Sequence, residues 1–184
     1  MAKTSAQEHR KLIDKMLVWF GIIATVVLIM IGGLAWYAGS FIQKNVHDEL
    51  ATQKISFPPK GSPALDPEEF PGLQQYAGQL VDNGPKAKAF ANEYIAKHLE
   101  KVANGQTYAE VSAKAQADPT NTQLQQQANV LFKGETLRGL LLGDAYAFWT
   151  MGEISHAAAL VAFVGGAIMS VLVLLGLRHL ASLS

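Results

Sequence analysis

Two long apolar blocks constrain this chain more than any other feature of its sequence. Neither 16–43 nor 154–177 contains an Asp, Glu, Lys or Arg. A helix needs about 20 predominantly apolar residues to cross the hydrocarbon core of a bilayer, and both blocks reach that length. The sequence therefore predicts two transmembrane helices, one over each block.

Two other interpretations of these blocks are weaker. A soluble chain of 184 residues has too little other structure to cover two such helices on every side. The apolar part of a cleaved signal peptide runs to about 7–15 residues and ends at a small-x-small site. The first block is much longer, and its Ala35-Trp-Tyr-Ala38 has the wrong spacing for that site. We expect an uncleaved anchor.

Charge at the ends of the chain predicts the orientation. Residues 1–15 carry four basic and two acidic side chains, and the tail 178–184 begins with Arg178 and His179. The segment 44–153 has ten basic and thirteen acidic residues, but a segment of that length counts little in the positive-inside rule. We expect a hairpin with both tails cytoplasmic and 44–153 extracytoplasmic.

Breakers and caps divide the segment between the spans into short helices. Residues 44–54 contain no breaker and should continue the first helix, whereas 57–67 holds four prolines and should be an irregular connector open to partners. No window alternates with period two, so the predicted fold class is all-α. The remaining predicted helices run from Pro71 to Val81, from Pro85 (capped by Asp82 or Asn83) to Asn104, from Thr107 to Asp118, from Thr120 to Lys133, and from Glu135 into the second span, with a possible break at Gly134.

The residue types that support catalysis are sparse. The chain has no cysteine, which excludes disulfides, thiolate metal sites and thiol nucleophiles. Its five histidines show no metal-binding spacing, and His47 and His98 are expected to be ordinary exposed side chains. The phosphate-loop, dinucleotide and nucleophile-elbow motifs do not occur, and the net charge is zero. We predict no enzyme, no cofactor, no metal and no nucleic-acid partner.

One polar pair at the edge of the second span is a candidate site. Glu153 and His156 are three residues apart, and hence on one face of a helix. Ionisable groups at membrane depth are functional candidates by default. The preferred interpretation is structural, with Glu153 marking the interface and His156 either snorkelling toward it or bonding a neighbouring helix. A proton, quinone or haem contact is the alternative, and a di-metal site would need ligands from other subunits.

A second candidate site is a seam of small residues. Small side chains every four residues let helices approach closely in lipid. We predict such a packing seam, within the hairpin or between protomers, at Ala158, Ala162, Gly166 and Ser170, extended by Gly139 and Gly143.

Two stretches carry a resemblance to known proteins. The runs 86–95 (KAKAFANEYI) and 133–150 (KGETLRGLLLGDAYAFWT) resemble a family of two-span membrane proteins from high-GC Gram-positive bacteria. The resemblance covers most of 17–180 and implies a two-span topology in a bacterial plasma membrane. It implies no activity and no functional residue.

These observations favour a non-catalytic membrane subunit or scaffold that acts through helix association and its extracytoplasmic helical domain. Its expected partners are the lipid bilayer and other membrane subunits or copies of itself. A two-span sensor that binds a small ligand or a partner is the first alternative, although the short tails leave no room for an output domain. A redox- or proton-handling subunit that uses Glu153 and His156 is the second.

Overall fold

The computed structural model describes residues 2–182, with side chains from Glu8 onward. Within that range the chain is helical and contains no strand; Ser56 and Leu80 form an isolated β-bridge. The all-α prediction is therefore confirmed. The helices are α1 (Ala2–Gln53), two 3₁₀ turns (Pro63–Leu65 and Pro71–Tyr76), α2 (Gly84–Ala89), a π segment (Phe90–Ile95), α3 (Ala96–Ala103), α4 (Tyr108–Ala117), α5 (Thr122–Leu140), a second π segment (Leu141–Tyr146) and α6 (Ala147–Ser182).

The chain divides into two compact units. The first, which we call the helix pair, consists of the chain up to Ser40 and the chain from Gly152 onward. The second, the middle domain, is Phe41–Met151. The long helices α1 and α6 each contribute to both units.

The two helices of the helix pair run antiparallel. Val18 lies against Gly176 near one end, and Gly39 lies against Gly152 near the other. Residue numbers along α6 therefore decrease in the direction in which residue numbers along α1 increase. On α1 the positions 14, 18, 21, 25, 28, 32, 35 and 39 are buried or half-buried and recur at alternating steps of four and three residues; Ile22 and Ala24, beside this row, are also half-buried. This is the heptad spacing of left-handed helix packing.

The rest of the helix-pair surface is apolar and exposed. Only 17% of the most apolar window in each long helix is buried, and the side chains of Phe20, Leu34 and Val161 are about seven-tenths exposed (71%, 70% and 74%). Both helices are long and apolar enough to cross a membrane. A helix in the core of a soluble protein would be mostly buried, and these are not.

The middle domain has its own hydrophobic core, in which the chain 84–103 packs against α5 and the second π segment. Its largest fully buried side chains are Phe57, Leu65, Leu73, Val81, Val111, Leu131 and Leu141. In the first π segment the carbonyl of Ala91 accepts the amide of Ala96, five residues on, and also the Nε–H of Arg138 at 3.0 Å. The sequence of 85–104 predicts a continuous α-helix and gives no sign of this widened turn, in which the Ala91 carbonyl accepts a second hydrogen bond from a side chain of α5.

Most of the predicted caps are present. Asn83 caps α2, and the Thr107–Glu110 capping box opens α4, with both of its reciprocal hydrogen bonds formed. Asn104 ends α3 in the left-handed conformation (φ 49°). The start of α5 differs from the prediction, because the cap is Asn121, whose side chain accepts the amide of Leu124, and not Thr120.

Three local predictions need correction. The proline-rich loop is irregular as expected, but it is more than a connector, because Phe57 and Leu65 anchor it in the core. The helix predicted from Pro71 to Val81 is only a 3₁₀ turn ending at Tyr76, since the following chain pairs with the loop (Phe57 N–H to Gln79 carbonyl, 2.9 Å). Gly134 does not break α5: a Cβ there would lie 2.4 Å from Leu99 Cδ2, so the glycine permits α3 and α5 to approach closely.

Candidate functional site

Glycines in the helix pair accommodate large side chains from the opposite helix. A Cβ added to Gly21 would lie 2.7 Å from Val173 Cγ2, and one added to Gly32 would lie 2.7 Å from the ring of Phe163. These distances are far below a normal van der Waals contact, so a larger residue at either position would force the facing side chain to shift. The two backbones can approach closely because the glycines leave room for these side chains.

The predicted seam coincides with this contact only in part. Ala162 and Gly166 are buried in the helix pair, and Ser170 is half-buried, with its hydroxyl donating to the Gly166 carbonyl at 2.8 Å. Ala158 is exposed, and Ala159 is fully buried instead. The physical reason is helix periodicity: a four-residue repeat drifts by about 40° per step on a helix of 3.6 residues per turn, whereas the heptad pattern stays on one face.

The two glycines proposed as an extension of the seam lie in the middle domain and are exposed. A Cβ at Gly139 or at Gly143 would meet nothing within 4 Å. Neither glycine is therefore required for packing within this chain. Both glycines are therefore accessible to another molecule, which a packing seam between protomers would require.

His156 lies in the contact between the two helices. Its Nε2 shares a hydrogen bond with the Ser40 hydroxyl at 3.1 Å, and its ring centre lies 4.8 Å from that of Trp36. A Cβ on Gly39 would lie 2.7 Å from His156 Cδ2. The imidazole therefore fills the space that this glycine leaves and bonds the neighbouring helix, which is one of the two arrangements that the structural interpretation allows. Glu153, one turn away, is exposed.

The other predicted sites of chemistry show no catalytic arrangement. No group of three or more His, Cys, Asp or Glu side chains in the described part of the chain could hold a metal ion. His47 is exposed, as expected, and its Nδ1–H donates to the Asp82 carbonyl at 2.9 Å.

His98 is less exposed than its sequence context predicts. It is half-buried in an aromatic cluster with Phe70 and Tyr94, so the prediction of an ordinary exposed side chain is wrong. Its Nδ1–H donates to the Tyr94 carbonyl at 2.9 Å, and burial raises the pKa of the Tyr94 phenol. The cluster is part of the packing of the middle domain, and this packing accounts for the position of His98.

A groove in the middle domain is the feature that the sequence analysis missed. It has a volume of about 460 Å³ and lies between the end of α1 and the chain 137–148. Its lining is mainly apolar and consists of Phe41, Ile42, Asn45, Val46, Glu49, Leu50, Gln53, Leu137, Leu140, Leu141, Asp144, Ala145 and Phe148. The i, i+4 and i+8 spacing of Phe41, Asn45 and Glu49 marks one side of a helix, but the facing wall comes from residues nearly a hundred positions later. Pairing the two walls requires the tertiary structure.

No protein-family model matches this chain, and neither a curated protein nor a solved structure is significantly similar to it. The helix pair and the groove are therefore the features that bear on function.

Proposed function

We propose that this protein is a non-catalytic integral membrane subunit or scaffold, anchored by the helix pair, with the middle domain outside the cytoplasm. The main support is the apolar surface of the helix pair, which remains exposed after the two helices have packed against each other. Large apolar patches on a protein surface mark sites of contact with a membrane or another protein. In this protein the exposed apolar side chains surround two helices that are each long enough to span the hydrocarbon core of a bilayer.

Membrane insertion and topology can be tested together. The chain should stay with membranes after alkaline carbonate extraction. Because it has no cysteine, single cysteines at Lys3, Ser62 and Ser184 give clean labelling sites. Only the cysteine at 62 should react with an impermeant maleimide in intact cells. Labelling at 3 or 184 would disprove the hairpin with cytoplasmic tails.

The proposed partners are other subunits of a membrane complex, or further copies of the chain, in a bacterial plasma membrane. The location follows from the family resemblance. The association follows from exposed small residues such as Ala158, which leave room for another helix. Purification in a mild detergent should yield an assembly larger than one chain. A strictly monomeric protein in mild detergent and in native lipid discs would contradict the scaffold role.

A two-span sensor is the second candidate, and the groove of the middle domain favours it. A groove of several hundred Å³ with an apolar lining and a few polar groups is typical of small-molecule sites. A sensor could pass a shift of α1 or α6 to a partner, since both helices contribute to both units. Stabilisation of the purified protein by a small molecule would favour this role over the scaffold.

The redox- or proton-handling role is the least supported, because His156 already has a hydrogen-bond partner in Ser40. We expect Glu153→Gln to change stability by no more than about 1 kcal/mol, as for an ordinary hydrogen bond. His156→Leu should weaken the helix pair but leave function intact in whatever assembly forms. A complex that assembles normally in both variants but loses respiratory or pH-dependent activity would revive this role.

A further inference from the structure

The groove of the middle domain has an apolar floor and an open, partly apolar rim. Leu50, Leu141 and Ala145 form the floor and are buried. On the rim, Phe41 and Phe148 are about half exposed (54% and 50%). Aromatic side chains exposed above a buried apolar floor favour an apolar occupant, because covering them removes more apolar surface from water.

The polar groups of the groove have a consistent chemistry. Asn45, Glu49, Gln53 and Asp144 line it, and no Lys, Arg or His does. In the part of the chain that the structure describes, neither carboxylate forms an ion pair or a side-chain hydrogen bond. Two carboxylates without a cation favour a positively charged or hydrogen-bond-donating group and disfavour a phosphate or a carboxylate.

The size of the groove limits the kind of occupant. The wall from Phe41 to Gln53 is about 18 Å long, at 1.5 Å per helical residue. A helix of that length and about 10 Å in diameter occupies about 1,400 Å³, which exceeds all of the space inside the groove, about 1030 Å³ with the part that opens to solvent included. A single extended chain suits this volume better than a helix of a partner or of a second copy.

We propose that the groove binds a single-chain amphiphile with an amine or ammonium head group. The hydrocarbon chain lies along Leu50, Leu141 and Ala145, and the head group is bound near Glu49 and Asp144. The source of the amphiphile rests on the proposed function, because a membrane supplies such molecules and Phe41 belongs to the block predicted to span it.

The test uses the full-length protein in polymer-bounded discs extracted without detergent, since detergents are themselves single-chain amphiphiles. The probes are hexadecylamine and palmitic acid, each with a mid-chain diazirine, and crosslinked peptides are identified by mass spectrometry. The amine probe should label the peptides that contain Leu50 and Leu141. It should do so on the order of tenfold more than the acid, since charge-assisted bonds are among the stronger ones.

Three variants separate the groove from general lipid contact. Asn45→Trp should fill the groove and abolish this labelling without disturbing the core, because Asn45 is exposed. Ala147→Trp is the matched control: it places the same side chain on the neighbouring, exposed surface outside the lining and should leave labelling unchanged. Glu49→Gln combined with Asp144→Asn should keep chain binding but remove the preference for the amine.

Several results would overturn the proposal. One is labelling confined to the exposed sides of the helix pair and unaffected by Asn45→Trp. Another is equal or stronger labelling by palmitic acid in the unmodified chain. A disulfide between copies through a cysteine placed at Leu140 would show that a second copy fills the groove. Failure of the membrane proposal is separate, because the chain would then appear in the soluble fraction, where the same probes can be applied.

Discussion

Gly39→Ala should destabilise the helix pair, because the space beside this glycine is already filled. A Cβ at position 39 would lie 2.8 Å from the Gly152 carbonyl oxygen and 2.7 Å from His156 Cδ2. A side chain could rotate away, but a backbone carbonyl within a helix cannot. The two helices would have to move apart along part of their contact. Gly33, on the same helix, is the natural control, because a Cβ there meets nothing within 4 Å.

The comparison of Gly39→Ala with Gly33→Ala isolates the steric cost. Both replacements gain the same helix propensity, about 1 kcal/mol for glycine to alanine inside a helix. That gain cancels in the difference between the variants. What remains is the overpacking at position 39, for which about 1–3 kcal/mol is typical. We therefore expect Gly39→Ala to be less stable than Gly33→Ala by that amount.

Reversible unfolding in mixed micelles of a mild detergent and dodecyl sulfate measures this difference. Trp36 lies beside His156 in the contact, with the two rings tilted by 47° and their centres 4.8 Å apart, so its fluorescence should report separation of the helices. Circular dichroism separates that event from loss of helix. Equal unfolding free energies for the two variants would refute the close approach of α1 and α6 at Gly39.

Three further predictions concern the middle domain, and thermal unfolding checks each of them. Gly84→Ala should destabilise it by about 1–3 kcal/mol, because the new Cβ would lie 2.4 Å from Trp149 Cβ. Thr107→Ala should cost about 1 kcal/mol through loss of the helix cap. Hydrogen bonds from the Thr107 backbone amide and, to a smaller extent, from the Thr107 hydroxyl lower the pKa of the Glu110 carboxyl, so their contribution is present above the ordinary carboxyl pKa and lost as pH falls through the lowered one. Thr107→Ala removes only the hydroxyl bond and keeps the backbone bond, so NMR titration should show a modestly higher Glu110 pKa, and stability should be lost slightly less steeply in acid. Lys54→Gly should stabilise the middle domain by about 1 kcal/mol, because Lys54 adopts a left-handed conformation (φ 55°) after the last turn of α1 and glycine adopts it without strain. A lower melting temperature of this variant would contradict the prediction.

The local signals in the sequence were the most reliable ones. Asn83 and the Thr107–Glu110 box accept hydrogen bonds from amides only three residues away, so they can be predicted without tertiary structure. The same holds for the left-handed Asn104 at the end of α3. The apolar blocks predicted two long apolar helices for an equally local reason, since length and composition are properties of each segment alone.

The predictions that failed depended on which residues meet across the fold. Gly134 looked like a break, but it faces Leu99 of another helix. The proline loop looked like a free connector, but Phe57 is buried among aromatic rings contributed by later residues, with Phe90 at 5.1 Å. A single sequence gives residue types along the chain, whereas these roles depend on contacts 30 or more residues away. The groove was missed for the same reason.

The helix pair also explains why only some residues of the predicted four-residue seam lie in the contact between the two helices. Lipid tails are as apolar as leucine, so two spans gain little from covering apolar side chains and must gain from close packing and hydrogen bonds. The residues that determine the contact are therefore small and polar ones. The hydroxyls of Thr25 and Ser170 do not bond across it, because each donates to the carbonyl four residues earlier in its own helix. Exposed apolar positions such as Phe20 lie outside the contact, and under the proposed membrane insertion they would face lipid. In a membrane we accordingly expect Phe20→Leu to be nearly neutral while Gly39→Ala is not, an order of sensitivity opposite to that of a soluble core, where large apolar side chains dominate.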